Sequence, residues 1–337
     1  MKPLESLALR HDGTRLWILD QTLLPMEEAW AEGGDPDAMV GHIRRLAVRG
    51  APLIGVAAAL SLATYAESGA PAGEVRAAAS RLRAARPTAV NLMWAMDRMT
   101  AALDRDAASL PGEAEAIFRE DVELCEAIAR QGVPLLGRGE RVLTHCNSGA
   151  LATAGVGTAL GVIRRAWEAG RISHVYVDET RPLLQGARLT AWELERAGIP
   201  HTLITDSMAA LLLRDRKVDR VLLGADRVAA NGDFANKVGT YGLAVQCRFH
   251  GVPFHPVAPW STVDLACPDG AGIPIELRDP AEVRGQGGRA WAREATPAFN
   301  PSFDVTPASL VTSLVTDRAV LTSADLAGGR LRDLGAF

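Results

Sequence analysis

The sequence predicts an α/β protein in which a C-terminal doubly wound, Rossmann-like parallel sheet follows a smaller, mainly helical N-terminal domain. Three observations carry this. From about Arg138 onward, short runs rich in Val, Ile or Leu alternate with amphipathic stretches across Gly or Asp turns, the rhythm of parallel strands joined by helical crossovers. Before Gln131 apolar residues recur every three or four positions, as helices require. The chain of 337 residues is 48% hydrophobic and 23% charged, enough to bury proper cores without disulfide or metal staples. The boundary falls between residues 1–131, helical with short strands, and residues 132–337, the Rossmann-like domain.

In chain order, residues 15–19 (R-L-W-I-L) read as a short strand and residues 20–25 as a turn. Helices are expected after Pro52, over 73–85 and over 113–129. Beyond them, strands are expected at 142–145, 174–177, 202–205, 221–223 and 253–257. Helices over 151–168, 187–197, 208–214 and 237–249 separate them. Residues 268–307, dense in Gly, Pro and charge, read as a long ordered loop or flap.

Composition excludes several classes. With 36 basic against 40 acidic side chains, the net charge of −4 creates no general field for nucleic acid or an anionic membrane. Cys125, Cys146, Cys247 and Cys267 stand far apart with no C-x-x-C pair, which argues against structural zinc and for reduced thiols in a cytoplasmic protein. The N-terminus lacks the apolar core of a signal peptide. The uncharged stretch 50–66 falls short of a bilayer span and reads as a buried helix.

In a doubly wound sheet ligands sit beyond the carboxyl ends of strands, where this chain places T-H-C-N-S-G, D-E-T-R, T-D-S and G-A-D-R. Cys146 is expected where a strand hands over to a helix, whose N–H groups would activate a thiol; the plain alternative is a buried small hydrophobe. Asp226 follows an apolar strand, where a carboxyl can act as a general acid or simply pair with Arg227. Asn236 and Lys237 are placed at the start of the next helix, able to hold phosphate; alone, Lys237 reads as a surface charge. Arg49, Gly50 and Ala51 precede a helix with Pro52 in its first turn, either an oxyanion clamp or a capping turn. Arg86 ends a cationic helix before Pro87. Gln185 opens a crossover helix and can bond a sugar hydroxyl or a helix end. The run G-V-G-T-A-L-G misses the dinucleotide fingerprint, so no NAD is inferred. On residues alone this is a small-anion enzyme of unspecified reaction.

Six ordered strings, R-G-A-P-L-I-G-V-A-A-A, A-R-P-T-A-V-N-L, T-H-C-N-S-G-A-L-A-T-A-G, E-T-R-P-L-L-Q-G-A-R-L-T-A, G-A-D-R-V-A-A-N-G-D-F-A-N-K-V-G-T-Y-G and F-D-V-T-P, resemble the methylthioribose-1-phosphate isomerase family nearly end to end. That family is related to the regulatory subunits of initiation factor 2B. The resemblance implies an aldose-to-ketose isomerisation of a sugar phosphate in methionine salvage, without metal or cofactor, by a homodimer. It implies Cys146 and Asp226 as catalytic residues, and Arg49, Gly50, Ala51, Arg86, Gln185, Asn236 and Lys237 as substrate contacts. Ser148 stands where relatives often carry Thr, and Leu277 where an acidic residue is more usual. The alternatives are isomerisation of another sugar 1-phosphate, such as 5-deoxyribose 1-phosphate or ribose 1,5-bisphosphate, and a non-catalytic binding subunit.

Overall fold

The structure, a computed structural model, describes residues 1–86 and 89–335; Pro87, the expected helix stop after Arg86, lies outside the described residues. It divides into two units, Met1–Ala127 with Ser148–Gly161, and Ile128–Asn147 with Val162–Phe337. A single cut after residue 131 therefore misplaces one segment. Ser148–Gly161 belongs with the first unit because that unit's polar groups hold its backbone. Gln21 Nε2 donates to the Leu151 carbonyl at 2.7 Å, Leu53 N–H to the Ala152 carbonyl at 3.1 Å, and Ala154 N–H to Asp121 Oδ2 at 2.5 Å.

The first unit opens with an antiparallel meander of Leu4–Glu5, Leu9–His11, Leu16–Leu19 and Trp30–Glu32. Helix Pro36–Arg44 follows, capped by the Asp35 carboxylate, which accepts from Asp37 N–H and Ala38 N–H. Helix Ala51–Glu67 is buried continuously from Leu53 to Ala63, as a helix apolar on every side must be. It packs with Ala72–Arg83 and Val90–Arg105, and Leu110–Gly132 starts in this unit. No helix among the described residues is long and apolar enough to cross a membrane.

The second unit is built on a seven-stranded sheet. Its spatial order is Val320–Thr322, Ser313–Val315, Phe254–Val257, Arg220–Gly224, Glu140–Thr144, Ile172–Asp178, His201–Ile204. Every pairing is parallel except that of Val320–Thr322 with Ser313–Val315. The five expected strands are all present, and Leu143, Val221, Leu223 and Phe254 bury their side chains in the core beneath them. From Glu140–Thr144 the chain moves outward to Ile172–Asp178 and His201–Ile204, then returns to the opposite side of its starting strand as Arg220–Gly224. The topological switch point thus lies between Glu140–Thr144 and Arg220–Gly224.

Three helical expectations are corrected. The helix placed over 151–168 begins only at Ala159, because the preceding glycines serve close turns. Gly157 has φ +98°, and a Cβ there would lie 2.5 Å from the Gly149 Cα. The helix placed over 187–197 begins with a wide π turn, Gly186–Thr190, before Ala191–Arg196. The helix placed over 237–249 begins at Thr240. Residues Phe234–Lys237 are instead a fully buried strand, paired antiparallel with Arg227–Ala229 and with Phe303–Thr306. The flap therefore ends in a strand that completes a second, four-stranded sheet with Val263–Asp264 at its edge.

Candidate active site

Glu140–Thr144 and Arg220–Gly224 are neighbours in the sheet, so Cys146 and Asp226 leave the carboxyl ends of adjacent parallel strands, on either side of the switch point. Cys146 is half-buried. It is not at a helix N-terminus, since the following helix starts thirteen residues on at Ala159. Its presentation is set by backbone strain instead: φ is +63°, a left-handed conformation costly to a non-glycine residue. Two threonines hold it there. Cys146 N–H donates to Thr180 Oγ1 at 2.8 Å, and Thr190 Oγ1 donates to the Cys146 carbonyl at 2.6 Å. Beside it, Asn147 Nδ2 donates to Glu193 Oε1 at 2.8 Å. The other three cysteines are buried, and burial pushes the Cys125 thiol up to about 12 and the Cys247 thiol up as well.

Three of the four polar strand ends are stitched together. His145 Nδ1 lies 2.9 Å from Asp178 Oδ2 and Nε2 lies 3.0 Å from the Val238 carbonyl. The Asp206 carboxylate accepts from Thr180 N–H and Arg181 N–H, each at 2.7 Å. The ligand atoms of His145, Asp178 and Asp206 all fall within 4.8 Å of one another, a spacing that could hold a metal ion. The hydrogen bonds fit an ion pair better. Both Asp206 oxygens take backbone N–H groups and both His145 nitrogens face acceptors, so Asp178 Oδ1 alone has no hydrogen-bond partner among the described residues.

At the fourth strand end, Asp226 N–H donates to the Ala235 carbonyl at 2.9 Å, which fixes the residue's backbone where the hairpin begins. Arg227 pairs with Asp264 Oδ2. Asn236 and Lys237 end the hairpin's second strand and are both buried, which overturns the surface reading of the lysine. Asn236 Nδ2 donates to Thr240 Oγ1 at 3.0 Å. Lys237 Nζ donates to the Ser302 carbonyl at 2.7 Å and lies 4.8 Å from the centre of the Phe303 ring. Two N–H groups at the start of the next helix are already taken: Gly239 and Tyr241 donate to the two oxygens of Asp304. Burial raises the Asp304 carboxyl despite these bonds. Gln185 is buried at the start of the π turn, and its Oε1 has no partner among the described residues. Gly186 follows because a Cβ there would overlap the Asp178 carbonyl oxygen.

In the first unit, Gly50 takes φ +93° at the N-cap of Ala51–Glu67. A Cβ there would lie 2.5 Å from the Ala152 Cα, so only glycine lets the Ser148–Gly161 segment approach. No side chain caps this helix start, and its first turn carries no acid. Arg49 and Ala51 flank Gly50, and Arg86 follows the end of helix Ala72–Arg83.

His145, Asp178, Thr180, Thr190, Asp206 and Asp304 are the site-forming residues that sequence reasoning left without a role. Their signal was the polar clustering at strand ends and the F-D-V-T-P string.

Residues 47–323 match the Initiation factor 2 subunit family. A methylthioribose-1-phosphate isomerase of Cronobacter sakazakii is 56% identical over 336 residues, 98% of this chain and 99% of that protein. One from Anaeromyxobacter sp. is 56% identical over 311 residues, 92% of each. Among solved structures, 5-methylthioribose 1-phosphate isomerase from Pyrococcus horikoshii aligns with TM-score 0.90 at 39% identity, covering 97% of this chain and 96% of that one. A chain described as the delta subunit of translation initiation factor eIF-2B from A. fulgidus aligns with TM-score 0.83 at 38% identity, covering 95% and 96%. By these matches over nearly its whole length, the chain belongs to the Initiation factor 2 subunit family and, within it, to the methylthioribose-1-phosphate isomerases.

Proposed function

We propose that the chain converts 5-methylthioribose 1-phosphate to 5-methylthioribulose 1-phosphate with Cys146 and Asp226 as its catalytic pair. The observation that carries the reading is the emergence of a strained, half-buried thiol and a carboxyl from adjacent strands at the switch point. In this substrate the anomeric oxygen carries phosphate, so the ring cannot open by mutarotation. Asp226 protonates the ring oxygen as the ring opens. Hydrogen then moves from C2 to C1, either as a proton taken by a Cys146 thiolate through an enediol or as a hydride in a pocket where Cys146 stabilises the transition state. Solvent deuterium at C1 marks the first route; complete retention of the C2 hydrogen marks the second. Lys237 and Asn236, with Arg49, Gly50, Ala51 and Arg86, are assigned to the phosphate and sugar, and the buried Gln185 oxygen to a hydroxyl. No metal or nicotinamide enters this chemistry.

The deciding experiment follows methylthioribose 1-phosphate by NMR with purified protein. Turnover supports the reading. Binding without turnover would make the chain a regulatory binding subunit, and faster turnover of 5-deoxyribose 1-phosphate or ribose 1,5-bisphosphate would reassign the substrate. We also infer a cytoplasmic homodimer. Tyr241, Val245 and Phe249 form an exposed apolar stripe at helical spacing, with Phe249 83% exposed, beside Met208 and Leu211 of the neighbouring segment. A monomeric mass in solution would overturn the dimer.

A further inference from the structure

We infer that His145 is a positioning residue for this isomerisation, an imidazolium that locks the strand end carrying Cys146 to the loop that leaves Asn236 and Lys237. The inference rests on the isomerase reading and deepens it. Its ground is donor arithmetic. A carboxylate and a carbonyl can only accept, and they face the two ring nitrogens at 2.9 and 3.0 Å. A neutral imidazole has one N–H and cannot serve both. The pair must therefore keep two protons, one between Nδ1 and Asp178 and one on Nε2 toward Val238.

The surroundings agree. Burial alone would lower the imidazole, but the bond to Asp178 and its charge, with Asp206 behind it, hold its pKa above the usual value. Burial pushes the Asp178 carboxyl up while the bond to His145 and the imidazolium charge pull it down, so the carboxylate depends on the ring staying charged. Asp304 and Lys237 face the same corner from the second sheet, and Cys247 packs near Asp178 with its thiol raised by burial and by that charge.

The ring also sets the loop's path. A Cβ on Gly239 would lie 2.9 Å from His145 Cε1, so the ring lies directly against this left-handed residue. Its neighbours are fixed in turn: Gly239 N–H is held by Asp304, and Asp304 pairs in register with Asn236. His145 thus reaches the substrate-binding strand through Val238 and the thiol through the adjacent peptide. If the ring loses a proton, a lone pair faces either the Val238 oxygen or the carboxylate, and the corner opens. The lock is complete below the ordinary histidine range and is lost as pH rises through the raised value.

Two measurements test this on the full-length protein. Nitrogen-15 NMR of the histidine-labelled wild type should show both His145 nitrogens protonated at pH 7.5; a neutral ring there overturns the inference whatever the variants do. His145→Gln keeps one donor toward Val238 and should lower kcat about 100-fold, the scale of a misplaced reacting group, and remove an alkaline ionisation from the wild-type rate profile. Restoration of much of that loss by lowering pH, or an unchanged kcat and profile, would also overturn it. An inactive wild type would instead sink the isomerase reading, with the NMR result standing apart.

Discussion

Asp121 is buried in the helix Leu110–Gly132, where it accepts Ala154 N–H at 2.5 Å, and burial raises its carboxyl from 3.8 to about 6. The sign follows directly. Between those two values the folded state holds a proton that the unfolded chain has released, so stability falls as pH rises. At about 1.36 kcal/mol per pKa unit, the ionised group costs the folded protein about 3 kcal/mol at pH 8, of which roughly half develops between pH 5 and pH 8. Asp121→Asn keeps an acceptor for Ala154 and cannot ionise. Its stability relative to wild type should therefore increase by on the order of 1 kcal/mol from pH 5 to pH 8, with little further change above pH 7. Urea unfolding of both proteins at pH 5, 6 and 8 reads this as a change in the difference between them. The absolute offset is immaterial, because the buried amide adds a donor of its own cost. A difference constant across that range would refute the reasoning, and one that shrinks toward pH 8 would reverse its sign.

Cys146→Ala and Asp226→Asn should each keep the unfolding midpoint and lose about 100-fold or more in kcat; full turnover by either removes that residue from the chemistry. Gly50→Ala should destabilise the first unit by at least about 2 kcal/mol, since it combines a left-handed φ with a Cβ placed 2.5 Å from backbone; an unchanged midpoint would contradict the packing. Thr180→Val removes the acceptor of Cys146 N–H and should cost about 1–3 kcal/mol while lowering kcat and altering iodoacetamide capture of Cys146, whereas Thr180→Ser should restore both.

The middle of the parallel sheet was legible because the buried parts of Glu140–Thr144 and Arg220–Gly224 read as short Val and Leu runs. The polar residues at their ends therefore stood out. What stayed illegible depends on distant partners. F-A-N-K reads as well at a helix start as in a strand; Phe303–Thr306 decides, paired residue for residue some 66 positions downstream or more. His145 looked like a flank of the cysteine because its two partners lie 33 and 93 residues away. The helix expected from Leu151 failed for a different reason. Alanines there satisfied local propensity, but Gly155 and Gly157 serve close backbone approaches that no periodicity records. Burial of Lys237 was equally hidden, since a lysine pattern says nothing of a carbonyl at Ser302.

Several departures from ordinary protein chemistry gather at the carboxyl ends of the parallel strands. Cys146, Thr180 and Leu184 all have positive φ; His145, Asp178 and Lys237 are ionisable groups taken out of water; and the Gln185 oxygen is buried without a partner among the described residues. Each carries a cost to the folded state of about 1–3 kcal/mol. The Val and Leu core of seven strands offsets them. A surface that only bound a partner would need neither a strained thiol nor a buried acceptor, because exposed groups bind anions without either cost. Groups held in place by rigid strands are positioned before any ligand arrives, and a reaction gains from such fixed geometry more than binding does. The pattern of strain therefore favours catalysis over regulation on grounds independent of likeness to other proteins.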